Sequence, residues 1–442
     1  MSLSRRTFLA TPAGFGMAAG GQAFAANDHI QIATIGLGRR GLSDSQLALT
    51  IPGVQIVGAC DLYTGSLLHA KEIWGESFFT TRDYREILSR KDVDAVIIAT
   101  PDHWHARIAI DALKAGKDVY LEKPMIHDID QGRPLIEAQQ ETGRILQIGS
   151  QFTSSIEYQK ARDILRSAAI GKLTLVEAFV DRNTSLGATR YSIPPDASPE
   201  TCDWDRFLGS APKRPFDKVR FFWWRHYWDY GTGQAGDLYV HLLTSIHFML
   251  DSLGPVRVTS TGGVRFWKDG REVPDVFLAL YDFPQSDHHP EFNAILRLNY
   301  ASGCKTDTLG FRFYGSEGVL TIQDGVSLTK TPREARPGYT VGGFPKAVRE
   351  RFLAEYHRKY PDAPVSVESM RPEEEIVYKA PPAYNLVLHH IQNFFESVRN
   401  RKRPVQDAVF GLRAAGPALL ANKSYLDHEI CRWDPTNMAP AM

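Results

Sequence analysis

The chain has 442 residues, 43% hydrophobic and 23% charged, with 51 basic and 51 acidic side chains. The length predicts two or three domains of ordinary globular composition. The charge balance excludes the basic excess of a nucleic-acid binder, and four cysteines without C-x-x-C spacing form no disulfide framework.

In chain order, the first segment reads Ser4-Arg5-Arg6-Thr7-Phe8-Leu9, then a small-residue, weakly apolar run over 10–20, then Ala23-Phe24-Ala25. These three parts resemble a twin-arginine export signal with an A-x-A cleavage site. Residues 1–25 are expected to be an address removed from a periplasmic or secreted protein. Beyond them, no apolar stretch reaches the roughly 20 residues of a bilayer-spanning helix.

Over 28–151, predicted strands at 30–36, 54–60, 95–99, 118–121 and 145–149 alternate with predicted helices from 42 and over 66–74, 84–89, 105–115 and 130–141. That alternation predicts an α/β fold with a doubly wound parallel sheet. The pattern changes at about 151. A helix is predicted over 155–167, and alternating strands over 173–181, 276–282, 293–299 and 309–314, with turns at Asp269-Gly270 and Gly315-Ser316-Glu317-Gly318. These predict a second, α+β domain over 152–442, built on a large, mostly antiparallel sheet. A polar stretch at about 325–380 reads as a surface insertion with a helix near 348–360, and 384–425 holds the closing helices. Arg399-Asn400-Arg401-Lys402-Arg403 reads as a solvated helix end. Cys60, Cys202, Cys304 and Cys431 read as buried free thiols, although an oxidising compartment permits disulfides.

The first predicted strand runs into Gly36-Leu37-Gly38-Arg39-Arg40-Gly41, which opens a helix. A G-x-G-x-x-G run alone is a weak signal, but here an acid, Asp61, ends the next strand 20 residues after Gly41. Gly36 permits the tight turn, Gly38 lets a pyrophosphate approach the backbone, and Gly41 lets helix and strand pack closely. The helix N-terminus offers free N–H groups to phosphate. A carboxylate at Asp61 accepts hydrogen bonds from a ribose 2′-hydroxyl and repels a 2′-phosphate, so NAD is expected over NADP. Arg39 and Arg40 leave a 2′-phosphate possible.

Glu122-Lys123-Pro124 ends a predicted parallel strand, at the edge where doubly wound sheets bind ligands. Further on, Gly231-Thr232-Gly233-Gln234-Ala235-Gly236-Asp237 leads to His241. Asp237 and His241 are four apart, so a helix places them on one face. Between these motifs lies Phe221-Phe222-Trp223-Trp224-Arg225-His226-Tyr227-Trp228-Asp229-Tyr230. Aromatic faces stack on sugar rings and Arg, His and Asp suit hydroxyls, while about half of these aromatics read as core. His103-x-His105 has no third ligand placed by spacing, so no metal is expected.

Gly36–Gly41, Ala99-Thr100-Pro101 with His105, Ala115-Gly116-Lys117 with Glu122-Lys123-Pro124, and Gly236-Asp237 with His241 together resemble the Gfo/Idh/MocA oxidoreductases. The resemblance extends to Pro404-Val405-Gln406-Asp407 and Ser424-Tyr425. It implies NAD held by Gly36, Gly38, Arg39, Arg40, Gly41, Asp61, Thr100, Pro101, His105, Glu122 and Lys123. It implies Lys123, Asp237 and His241 as catalytic residues in hydride transfer at a hydroxyl-bearing sugar carbon. Trp104, Arg225, His226 and Tyr230, with Asp237, are expected to face a carbohydrate substrate. Thr244 stands where the family often has another acid. A homodimer or homotetramer is implied, joined through the open face of the second sheet.

Three functional readings follow. The first is a sugar oxidoreductase whose NAD, lacking an external pool after export, is tightly bound and recycled in place. The second is an NAD-dependent glycosidase working by transient oxidation, elimination and water addition, with Tyr230 or His226 as the additional base. The third is a non-catalytic ligand-binding relative.

Overall fold

The computed structural model describes residues 29–330, 336–361 and 376–441. The expected export signal over 1–25 lies outside them.

The chain first builds β1 (Ile30–Ile35), α1 (Arg39–Ala48), β2 (Val54–Cys60), α2 (Thr64–Trp74), β3 (Phe79–Thr81), α3 (Tyr84–Ser89), β4 (Ala95–Ile98), α4 (Asp102–Lys114), β5 (Asp118–Leu121), α5 (Gly132–Thr142) and β6 (Leu146–Ile148). The six strands pair in the order β3-β2-β1-β4-β5-β6, all parallel. The near-continuous apolar runs of β1, β4 and β5 follow from covering on both faces. The order reverses between β1 and β4, which opens a crevice at the carboxyl ends of the strands.

The second part contains α6 (Ile156–Arg166), β7 (Leu173–Asp181), α7 (Trp204–Leu208), α8 (Lys218–Phe222), a π turn (Ala235–Tyr239), α9 (Val240–Leu250), β8 (Arg257–Gly263), β9 (Val276–Phe283), β10 (Phe292–Asn299), β11 (Thr308–Gly315), β12 (Gly318–Ile322), β13 (Val326–Lys330), α10 (Lys346–Lys359), β14 (Ile376–Tyr378), α11 (Leu386–Asn400), α12 (Ala408–Asp427), β15 (Cys431–Asp434) and β16 (Ala439–Ala441). Ten strands form one sheet, ordered β14-β13-β12-β11-β7-β10-β9-β8-β15-β16. Among the described residues only the β7–β10 pair is parallel, so the sheet is mixed but mostly antiparallel. Along β9, Phe277, Ala279, Tyr281 and Phe283 are buried, whereas Leu278 and Leu280 are exposed. Period-two alternation thus covers one face and leaves the other open.

Two expectations change. The stretch at 325–380 is not wholly a surface insertion, because β13 and β14 extend the large sheet. The closing helix α11, expected with the second domain, lays Ile391, Phe394, Phe395 and Val398 against Ile30, Ile32, Ala95, Ile97 and Tyr120 of the first sheet. The run at 399–403 ends α11 as an exposed helix end, as expected; within it Arg401 adopts a left-handed conformation and also donates two hydrogen bonds to the buried Asp118 carboxylate, at 2.6 and 3.0 Å. A bidentate pair to a buried acid recovers part of that acid's desolvation cost.

All four cysteines are free; Cys60, Cys202 and Cys431 are buried and Cys304 is half-buried. Among the described residues no helix is long and apolar enough to cross a membrane.

Candidate active site

The crevice at the carboxyl edge of the parallel sheet is a cavity of about 710 Å³. Its floor comes from strand ends: Gly36 after β1, Asp61 after β2, Thr100 and Pro101 after β4, Glu122 and Lys123 after β5. Its roof comes from the second part of the chain: Arg182 after β7, Tyr191, Phe222, Trp224, Arg225, Asp237 and His241.

The glycine turn is shaped by close approach. A Cβ on Gly36 would lie 2.6 Å from the Ala99 carbonyl oxygen, and Gly36 has φ +91°, so only glycine fits. A Cβ on Gly41 would meet the Gly36 carbonyl oxygen at 1.9 Å, so this glycine serves packing and does not line the cavity. At Gly38 nothing lies within 4 Å of an added Cβ. Gly38 N-caps α1 without a side-chain hydrogen bond, so the first N–H groups stay open toward the cavity. An open helix N-terminus behind an unfilled glycine is the cradle a dinucleotide pyrophosphate requires. Asp61 stands beside it and accepts from the Leu37 and Tyr63 amides at 2.6 and 2.8 Å. Burial pushes its carboxyl up, and those amides oppose the shift. Arg39 lines the same end as an exposed side chain. Arg40 is held by Glu122 at 2.9 Å and Asp44 at 3.1 Å.

At the other end, the Lys123 ammonium donates to the main-chain carbonyl of Asp237 at 2.6 Å and to Oδ1 of its carboxylate at 2.7 Å. Arg225 approaches the same Oδ1 at 3.5 Å. Burial alone would raise the Asp237 carboxyl, but Lys123, Arg225 and Arg182 outweigh it and hold it well below the usual range. Asp237 lies in the π turn and His241 in the first turn of α9, so the two residues do not share a regular α-helix face. The π turn nevertheless brings both to the cavity; such bulges recur at functional sites. The segment leading into the turn is docked to the first domain by Asp102 of α4, which accepts from Thr232 N and Oγ1 at 3.0 and 2.6 Å.

His241 has its Nδ1 3.2 Å from Ser150 Oγ, and Ser150 donates to Thr244 Oγ1, also at 3.2 Å. With its proton directed to Thr244, Ser150 accepts from Nδ1–H, and the lone pair of His241 is left on Nε2. Burial first, then the Lys123 charge, pushes the His241 pKa well below its ordinary value, so the ring is a neutral proton acceptor.

Three expected contacts are absent. His105 is buried, with its ring nitrogens 2.6 and 2.8 Å from the Pro124 and Thr100 carbonyls. It braces two cavity loops and does not line the cavity. His226 is wholly buried; its Nε2 faces Thr189 Oγ1 at 3.0 Å and Arg271 packs beside it. Tyr230 is wholly buried among Trp204, Phe207 and Tyr227. Neither reaches the cavity, because the aromatic run folds into its own core and sends only Phe221, Phe222, Trp224 and Arg225 inward. Trp104 does line it, with its indole N–H donating to Phe207 O at 3.0 Å. His103 is spent on the same carbonyl.

The sequence reading missed Ser150, Arg182, Tyr191 and Tyr63. Arg182 directly follows a strand end, which was a usable signal. Tyr63 was hidden because its partners are distant in sequence: Asp196, which accepts from its hydroxyl, and the 201–203 backbone, paired with 62–64 through Thr64 N to Thr201 O and Asp203 N to Leu62 O, both 2.9 Å. These contacts strap the second part of the chain across the Asp61 end.

Residues 30–150 match the oxidoreductase family, NAD-binding Rossmann fold, of the Gfo/Idh/MocA group, and residues 179–263 match that group's oxidoreductase family, C-terminal alpha/beta domain. The chain is similar to inositol 2-dehydrogenase of Salmonella typhimurium, at 33% identity over 132 residues, 30% of this chain and 39% of that one. It is similar to glycosyl hydrolase family 109 protein 2 of Shewanella sp. (strain ANA-3), at 28% identity over 207 residues, 42% of this chain and 45% of that one. The matches thus span less than half the length of these curated relatives. In fold it resembles scyllo-inositol dehydrogenase of Lactobacillus casei, solved with NAD(H) and scyllo-inositol, with a TM-score of 0.60 at 19% identity, over 91% of this chain and 99% of that one.

Proposed function

We propose that the chain is an NAD-binding oxidoreductase of the Gfo/Idh/MocA group, whose two domain models it matches, and that it transfers hydride between NAD and a hydroxyl-bearing carbon of a sugar or sugar derivative. The observation that carries the reading is the convergence of an ammonium, a carboxylate and a neutral imidazole, Lys123, Asp237 and His241, on one cavity that also holds the open glycine turn. Bound NAD supplies the hydride acceptor. His241 Nε2 takes the hydroxyl proton as the carbon is oxidised, and Ser150 holds the ring in the required tautomer. Lys123 stabilises the developing alkoxide from a fixed position, so little reorganisation is needed during reaction. Asp237 orients Lys123 and accepts from a neighbouring hydroxyl. Trp224 and Trp104 line the cavity beside the sugar ring. The expected site residues Gly36, Gly38, Arg39, Arg40, Asp61, Thr100, Pro101 and Glu122 all border the same cavity, which supports the cofactor assignment.

We further propose that the cofactor stays bound through turnover, loaded before export through the twin-arginine signal at 1–25. The strap at Tyr63 supports this, since its opening would precede release. The exposed Leu278 and Leu280 support association of two copies through the open sheet face.

A second reading is hydrolysis on the same site. The likeness to the family 109 glycosyl hydrolase favours it. A ring carbon is oxidised, the adjacent proton is lost, the glycosidic bond breaks by elimination, water adds, and reduction restores the ring. Tyr191 lines the cavity and takes the place of the buried Tyr230 and His226 as candidate base.

The test adds glycosides and free sugars to purified protein without external nucleotide. A change in nicotinamide absorbance with an oxidised sugar supports the dehydrogenase. Free sugar released catalytically, with no net change in absorbance, supports the glycosidase. No response to any carbohydrate contradicts both.

A further inference from the structure

We propose that the substrate carries an anionic group, a carboxylate or sulfate on the sugar, which Arg182 and Arg225 bind. The inference rests on the reading of the cavity as a carbohydrate oxidoreductase site and names the class of carbohydrate.

Charged side chains gather at the Lys123 end of the cavity. Three cations, Lys123, Arg182 and Arg225, face one carboxylate, Asp237. Lys123 makes one short hydrogen bond to the Asp237 carboxylate and one to its main-chain carbonyl. Arg225 has only a 3.5 Å approach to that same oxygen; among the described residues its guanidinium makes no hydrogen bond, and it lies over the Trp224 ring at 4.1 Å. Its side chain is 28% exposed. Arg182 spends Nη1 on the Gly187 carbonyl at 3.0 Å and stands 3.8 Å from Asp307, whose side chain is 52% exposed.

Of the other nearby acids, Glu122 pairs with Arg40 and Asp181 accepts two hydrogen bonds from Arg297, while Asp102 accepts two from the neutral Thr232 and acts on Arg225 only through its charge. Two guanidinium forks therefore line the cavity with open donors, each near a carboxylate but with none in direct hydrogen-bond contact. Partly burying such a group is costly unless an anion compensates it. A sugar hydroxyl satisfies a donor but not the charge. A carboxylate or sulfate satisfies both, and two oxygens on one centre match the planar fork. The Trp224 face fixes the Arg225 plane, which reduces the entropy lost on binding.

The test uses the NAD-bound protein and matched sets of methyl glycosides: hexuronides, hexoside 6-sulfates and neutral hexosides of the gluco, galacto and manno series. Binding is followed by calorimetry at low and at high salt. An anionic ligand is expected to bind about tenfold or more tightly than its neutral counterpart in at least one series, as charged hydrogen bonds imply. That margin is expected to shrink at high salt and to fall to about threefold or less in Arg225→Met or Arg182→Met. Preference confined to hexuronides assigns a carboxylate; preference confined to sulfates assigns a sulfate. Equal or tighter binding of the neutral ligand in every series, or no binding of any anionic ligand, overturns the proposal. Where a variant does not fold, the wild-type ratio and its salt dependence decide. Neutral glycosides that change the absorbance of bound NAD without any anionic preference sink this inference alone. Failure of every carbohydrate to change it sinks the oxidoreductase reading.

Discussion

Lys123 of the parallel sheet and Asp237 of the π turn are joined twice, ammonium to carbonyl at 2.6 Å and ammonium to carboxylate at 2.7 Å. The pair ties the strand end of one domain to the other, and in the proposed reaction its ammonium stabilises the developing alkoxide. Lys123→Ala is expected to reduce kcat by about 10²- to 10³-fold, the scale of a lost electrostatic stabiliser. Nucleotide content is expected to stay near that of the unaltered protein, because the glycine turn is untouched. Single-turnover kinetics and absorbance of bound nicotinamide check both.

The glycine turn separates binding from stability. Gly38→Ala meets no atom within 4 Å and keeps an ordinary φ of −60°, so its Tm is expected to change little. The added methyl occupies the approach to the phosphates, and nucleotide affinity is expected to drop by about tenfold or more. Gly41→Ala instead drives a Cβ to 1.9 Å from the Gly36 carbonyl oxygen and is expected to lower both Tm and affinity. Thermal melts and titration of nucleotide-free protein distinguish them.

Buried histidines set the acid limit. Burial, aided by Arg271, lowers His226 to about 4; burial lowers His390 to about 4 and His247 to about 3. With folded pKa values depressed, the unfolded chain takes up these protons first. Stability is fully present above the unfolded value of about 6.5 and falls as pH drops toward 4, each group contributing about 3 kcal/mol. Tm is expected to fall by about 10 °C or more between pH 7 and pH 4. His241 is depressed too, so the acid limb of the rate profile is expected well below pH 6.5, provided the protein is still folded.

Much of this site was legible because its chemistry is local in sequence. The turn from Gly36 to Gly41, Asp61 and Lys123 each sit at a strand end, and strand ends follow from short apolar runs. The parallel sheet was readable for the same reason. His226 and Tyr230 were misread because an aromatic run looks the same whether it lines a cavity or packs on itself; Trp204 and Phe207, which bury Tyr230, lie more than twenty residues earlier. Ser150 carries no motif, and only the packing of α9 against the chain after β6 brings it to His241 and Thr244. The i, i+4 spacing of Asp237 and His241 suggested an α-helix, yet the local element is a π turn, whose extra residue no periodicity marks.

The strap across the Asp61 end makes a kinetic prediction. Tyr63→Ala removes the hydrogen bond to Asp196 and the edge contact with Phe222, whose ring centroid lies 5.4 Å away. Exchange of bound nucleotide against labelled NAD is expected to accelerate by about tenfold, a loss of roughly 1.4 kcal/mol. An unchanged exchange rate would assign retention to other contacts.

The central claim is that a dinucleotide resides between the glycine turn and the Lys123–Asp237–His241 group. The direct measurement is to purify the protein without added nucleotide, denature it, and identify what is released by mass spectrometry. The predicted result is NAD or its reduced form in near-stoichiometric amount. Protein that releases no dinucleotide, and takes up neither NAD nor NADP on titration, would contradict the account.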